Sequence, residues 1–258
     1  MVFAVGLFAN ALFGQGAFVK FSPGYGFSLS SAVMAVNYTE DDDTYEAVYG
    51  SLGKGFNIGA AFGYMFNKNV GFELGLNYLI GGKMKGFYDT DALLEDDDMS
   101  ARMIRIMPSI IISSGLEKVE PYAKVGLVVG LGSITVNEAY ELIDWDLEAS
   151  EKMKLNGGIA VGLNASLGVL FNLSESIGIF AEIAMVTMSY GPTKGEITEY
   201  IFDGDDELNE LNTSEREYEF VKVLEDDDDP PTSKPTQDLK AKYPFGSIGP
   251  NFGIQISF

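Results

Sequence analysis

The stretch Asn251-Phe252-Gly253-Ile254-Gln255-Ile256-Ser257-Phe258 constrains the fold more than any other part of this chain. Phe252, Ile254, Ile256 and Phe258 share one face of an extended strand. Asn251, Gly253, Gln255 and Ser257 share the other, because strand side chains alternate with a period of two. A soluble sheet does not normally turn such a row of Phe and Ile to water. A strand with lipid on one side and a polar lumen on the other is written this way.

The same alternation recurs in seven other segments, at residues 17–30, 56–66, 70–80, 102–113, 120–133, 155–171 and 177–189, with 243–258 the eighth. In one of them Val161, Leu163, Ala165, Leu167, Val169 and Phe171 alternate with Gly162, Asn164, Ser166 and Gly168. Each segment is about long enough to cross a bilayer when tilted. Beyond the apolar start of the chain no run reaches the roughly 18 apolar residues of a membrane helix. A closed barrel is then the remaining way to satisfy every backbone group inside a membrane. The expected fold is all-β, an eight-stranded antiparallel up-and-down transmembrane β-barrel.

Residues 1–16 are apolar and match a signal-peptide core in length, with small-x-small cleavage sites at Ala9-Asn10-Ala11 and Gly14-Gln15-Gly16. The barrel domain is expected at 17–258. Its connections alternate in length. Residues 67–69, 114–119 and 172–176 read as short turns. The stretches at about 31–54, 83–99, 136–152 and 191–241 read as long loops. Of 38 Asp and Glu, 33 fall in those four loops, as 5, 6, 6 and 16. A lipid-facing wall does not hold such charge, whereas a solvated loop does. The stretch 216–224 alternates too, which extends the fourth loop as a hairpin above the membrane.

The chain has no cysteine and no histidine, so disulfides, thiolate or imidazole metal sites and the commonest nucleophile–base pairs are absent. A net charge of −21 argues against nucleic acid as a partner. The acidic runs Asp41-Asp42-Asp43, 95–98 and 225–229 have the oxygen chemistry of calcium ligands but lack EF-hand spacing. They read as solvated loops. No catalytic, cofactor or metal site is assigned, and Trp145 reads as a loop packing residue.

The opening Gly16-Ala17-Phe18-Val19-Lys20, the segment Pro121-Tyr122-Ala123-Lys124-Val125-Gly126-Leu127 and the Phe258 pattern resemble the OmpA/OmpX-like small outer-membrane β-barrels. The resemblance implies a Gram-negative outer membrane, with lipid and lipopolysaccharide around the wall. It also implies that Phe258, with Ile256, Ile254 and Phe252, forms the assembly signal read by the barrel-insertion machinery. No periplasmic peptidoglycan-binding domain of the full-length OmpA kind is expected.

Five charges fall on the inward faces: Lys20, Glu73, Arg105, Lys124 and Glu182. Opposite charges in a narrow lumen should pair, because an unpaired buried charge is expensive. Arg105 is expected to meet Glu73 or Glu182. Two functions stay open. One is a non-enzymatic barrel displaying acidic loops for envelope structure, adhesion or recognition of an extracellular ligand. The other is a narrow passive channel for ions or small solutes.

Overall fold

The computed structural model describes residues 16–30, 32–40, 44–224 and 231–258. The expected leader, apart from Gly16, lies outside the described residues, as do Asp41-Asp42-Asp43 and the acidic run 225–229. Among the described residues seventeen strands join into one sheet. They are β1 (Ala17–Ser28), β2 (Val33–Thr39), β3 (Thr44–Tyr49), β4 (Gly55–Met65), β5 (Val70–Gly81) and β6 (Met84–Asp89). Then come β7 (Leu93–Ser113), β8 (Val119–Leu142), β9 (Leu147–Asn156), β10 (Ala160–Asn172), β11 (Ile177–Tyr190) and β12 (Lys194–Phe202). The last are β13 (Asp205–Asp206), β14 (Glu217–Val221), β15 (Thr236–Leu239), β16 (Tyr243–Pro244) and β17 (Ser247–Ser257).

Antiparallel pairing runs from β1 to β4, β5, β7, β8, β10, β11 and β17 in turn, and β17 pairs back onto β1. Outward positions along these strands are apolar and exposed, as at Leu127, Leu163, Leu167, Ile183 and Ile254. The strands turn sharply at one end. There Asn67 Oδ1 accepts from the backbone N–H of Asn69 and Val70, and Ser174 Oγ from those of Ser176 and Ile177. Asn and Ser favour such turns because their side chains substitute for a backbone acceptor.

At the other end the expected long loops are largely strand. β7 and β8 run on as a pair from Ser100–Thr135 to Leu93–Leu142. They anchor an open sheet in the order β3, β2, β6, β7, β8, β9, β12, β14, β15. The stretch 216–224, expected to extend the fourth loop as a hairpin, supplies β14, which pairs antiparallel with β12 of the same loop and parallel with β15. It follows a one-turn helix, Thr213–Arg216, closed by a capping box between Asn212 and Glu215. Acidic composition hides these strands because it matches the composition of a solvated loop. Cross-strand cations offset part of the charge: Lys83 lies 2.7 Å from Asp98, and Arg216 lies 3.0 Å from Glu196.

Candidate functional site: a polar layer between two apolar layers

The inner face of the ring is divided into three layers. Near the short turns Phe18, Ile111, Tyr122, Leu170 and Phe180 pack together. At the opposite end Leu52, Leu79, Met84, Met103, Val128, Ile134, Val186, Met188, Tyr190 and Phe245 form a larger apolar cluster with their neighbours. Leu52 and Phe245 come from the connections rather than the wall, and both are fully buried. Pro244 O draws the two connections together by accepting from Leu52 N and Ser51 Oγ. The Tyr190 hydroxyl lies within hydrogen-bond reach of Gly132 O and Gly157 O, at 2.7 and 2.5 Å, so its buried polar tip is satisfied.

The charged side chains lie between these layers. Lys124 Nζ stands 2.9 Å from Glu73 Oε1 and 2.9 Å from Glu182 Oε2, and so bridges two carboxylates. Lys20 Nζ stands 3.0 Å from Glu73 Oε2, a charge contact whose angle is poor for a hydrogen bond. Lys20 also lies over the rings of Tyr122, Phe18 and Phe180, at 4.6, 5.1 and 5.2 Å, and gains from their negative faces. Glu182 accepts from the Tyr122 hydroxyl at 2.8 Å and from Asn251 Nδ2 at 3.1 Å. Gly168 makes this approach feasible: a Cβ there would stand 2.6 Å from Tyr122 Cζ and 2.8 Å from Glu182 Cβ.

Arg105 does not join this network. It is buried on the inner face, yet among the described residues it forms no ion pair. Its Nε and Nη2 both donate to Asn77 Oδ1, at 3.0 and 2.6 Å, and Asn77 Nδ2 donates to Asn57 Oδ1. The expected pairing with Glu73 fails on register. Arg105 is opposite Asn77, whereas Glu73 is opposite Ser109. That offset of four residues is roughly 13 Å along the strands. Alternation gives the side of the sheet a residue faces but not its height.

Alternation marks Asn57, Asn77, Ser109, Asn164, Ser166 and Asn251 only as inward, yet they line one cavity with Glu73, Arg105, Lys124 and Glu182. Their signal was a short polar side chain at an inward position where glycine is the rule. At the short-turn rim Glu120 accepts from the Ser113 hydroxyl.

The row Phe252, Ile254, Ile256 and Phe258 follows the outer face of β17, where Ile254 stands between Phe21 of β1 and Ile179 of β11. In the open sheet Asp96, Asp97, Asp98, Glu138 and Glu151 gather beside Lys85 and Lys152. Burial, reinforced by Glu95, Glu138 and Asp96, pushes the Asp97 carboxyl up to about 6. Burial also raises Glu138 and Glu151.

Among solved structures, Neisserial surface protein A (NspA) aligns with a TM-score of 0.44 at 12% identity, covering 95% of this chain and 98% of that one. CarO2 of Acinetobacter baumannii gives 0.36 at 12% identity, covering 95% and 100%. Ail, the attachment invasion locus protein of Yersinia pestis, gives 0.34 at 13% identity, covering 95% and 100%. None is similar enough for its function to transfer. No curated protein matches the sequence. The family described as outer membrane protein beta-barrel domain matches residues 3–214, well over half of the chain. The protein therefore belongs to the outer membrane protein β-barrel domain family and is an outer-membrane protein.

Proposed function

We propose that the protein is a non-enzymatic, sealed eight-stranded transmembrane barrel that displays its acidic sheet outside the cell for recognition of basic surfaces. The observation that carries this reading is the stacking of the lumen: an ion-paired layer held between two apolar layers. An eight-stranded barrel is just wide enough for side chains to fill it.

The eight ring strands serve as the wall. From Val161 to Phe171 the outward positions are apolar, and at the usual tilt of about 40° they rise roughly 25 Å, the height of an outer-membrane apolar band. Phe252, Ile254, Ile256 and Phe258 continue that band as the row offered to the insertion machinery. Lipid and lipopolysaccharide surround the wall. The sheet built on β7, β8, β9 and β12 stands clear of the band and carries the acids, so it draws cationic partners from a distance and binds them less well in salt.

The second reading is a narrow channel. It is favoured by the small polar cavity of about 60 Å³ beside Arg105 and Lys124. Conductance in planar bilayers separates the two. The sealed reading expects no steady current from the wild-type protein. A stable open level in every insertion would replace it with the channel reading.

A further inference from the structure

Between its apolar layers the ring encloses three cations, Lys20, Lys124 and Arg105, and two carboxylates, Glu73 and Glu182. The lysines and carboxylates balance one another. Arg105 is left over, and its guanidinium stays protonated. Only 3% of it is exposed, its hydrogen bonds go to the neutral Asn77, and its Nη1 has no hydrogen-bond partner among the described residues. A buried cation without a counter-charge is costly unless something compensates it. Glu73 does not, because it stands four residues further along the strands with its oxygens turned to two lysines.

The cavity beside Arg105 is lined by the short neutral side chains Asn57, Asn77, Ser109, Asn164 and Ser247 and also by Lys124, Glu73 and Glu182, whose carboxylates are held by the two lysines. We propose that this cavity binds one small monovalent inorganic anion, of the size and charge of chloride, against the Nη1 face of Arg105. One negative charge brings the enclosed total to zero, whereas a divalent anion would overshoot it. The apolar layer above is rich in methionine: Met84, Met103 and Met188 are buried in it, and Met34, Met99 and Met107 pack against it. Unbranched thioether side chains shift readily among rotamers and give a small ion a yielding entrance.

Crystals of the full chain in detergent, grown with bromide in place of chloride, test this directly. An anomalous peak within hydrogen-bond distance of Arg105 Nη1 is the expected result. Water alone at that position, or bromide confined to exposed lysines, overturns the proposal. This measurement needs no variant, so it decides the matter even if R105Q does not fold. In solution, replacing gluconate, which is too large for the cavity, by chloride at constant ionic strength should raise the apparent Tm by about 3 °C. The rise should vanish in R105Q. An equal rise in both proteins, or none in the wild type, also overturns it.

Discussion

Lys124 holds the lumen together because two strands away on either side it meets a carboxylate. Removing it leaves Glu73 with Lys20 and leaves Glu182 with only neutral donors, Tyr122, Ser166 and Asn251. Breaking a buried pair from one side typically costs about 3–5 kcal/mol, because a charge is stranded. Lys124→Met should therefore lower stability by about that much in urea unfolding from micelles. Combining it with Glu182→Gln should cost clearly less than the two single changes added together. Strict additivity would show that the 2.9 Å contacts carry no coupling. Much of this site was legible at the residue scale, since Lys20, Glu73, Arg105, Lys124 and Glu182 alternate against apolar neighbours and all turn inward. What the sequence could not yield was their grouping. Lys124 reaches Glu73 and Glu182 while Arg105 misses both, and the difference lies entirely in strand register and stagger, which alternation does not encode.

Single strands carry two environments in succession. β8 exposes Val125 and Leu127 on its wall portion, then continues through Glu138 and Glu141 into the acidic sheet. An arginine placed outward at Leu163, which pairs with Leu127 at mid-wall, should cost about 2–4 kcal/mol in folding into liposomes. The same change at Leu94, on the extended part of β7, should cost little. Similar costs at both sites would mean that the apolar band has been drawn at the wrong height. The wall elements were readable because each needs an uninterrupted apolar face. The outer strands were not. β12 reads Lys-Gly-Glu-Ile-Thr-Glu-Tyr-Ile-Phe and β15 reads Thr-Gln-Asp-Leu, with no face that demands burial. Their pairing comes from neighbours that β7 and β8 hold in place, a tertiary cause that composition does not reveal.

Across the whole molecule charge is segregated, with ion pairs and the unpaired Arg105 inside and a strong excess of acid outside. The outer sheet should therefore respond to pH. Asp97 keeps its proton up to about pH 6 in the folded sheet, against 3.8 in the unfolded chain. The native state binds more protons across that window, so this group lowers stability as pH rises through it. Its penalty is complete above about 6 and absent below 3.8. Asp98 runs the other way. Despite its own burial, hydrogen bonds from Lys83 and Asn137 hold its carboxyl low, so its contribution is lost on acidification. Asp97→Asn should thus slow hydrogen exchange in β6 and β7 at pH 7, with the gap to wild type closing towards pH 4. A gap that persists at pH 4 would point to packing rather than charge. The division of layers inside the ring bears on how such a protein comes to exist at all. Lys20 of β1 reaches over the seam where β1 meets β17 to the ring of Phe180 on β11. A sheet complete except for that seam would lack this contact and would leave its charged layer open to hydrocarbon. Half-assembled forms are therefore disfavoured by more than their missing backbone bonds. Pairing of β1 with β17 would thus act as a latch, so that the lifetime of the closed protein is expected to follow the barrier to reopening rather than its net stability.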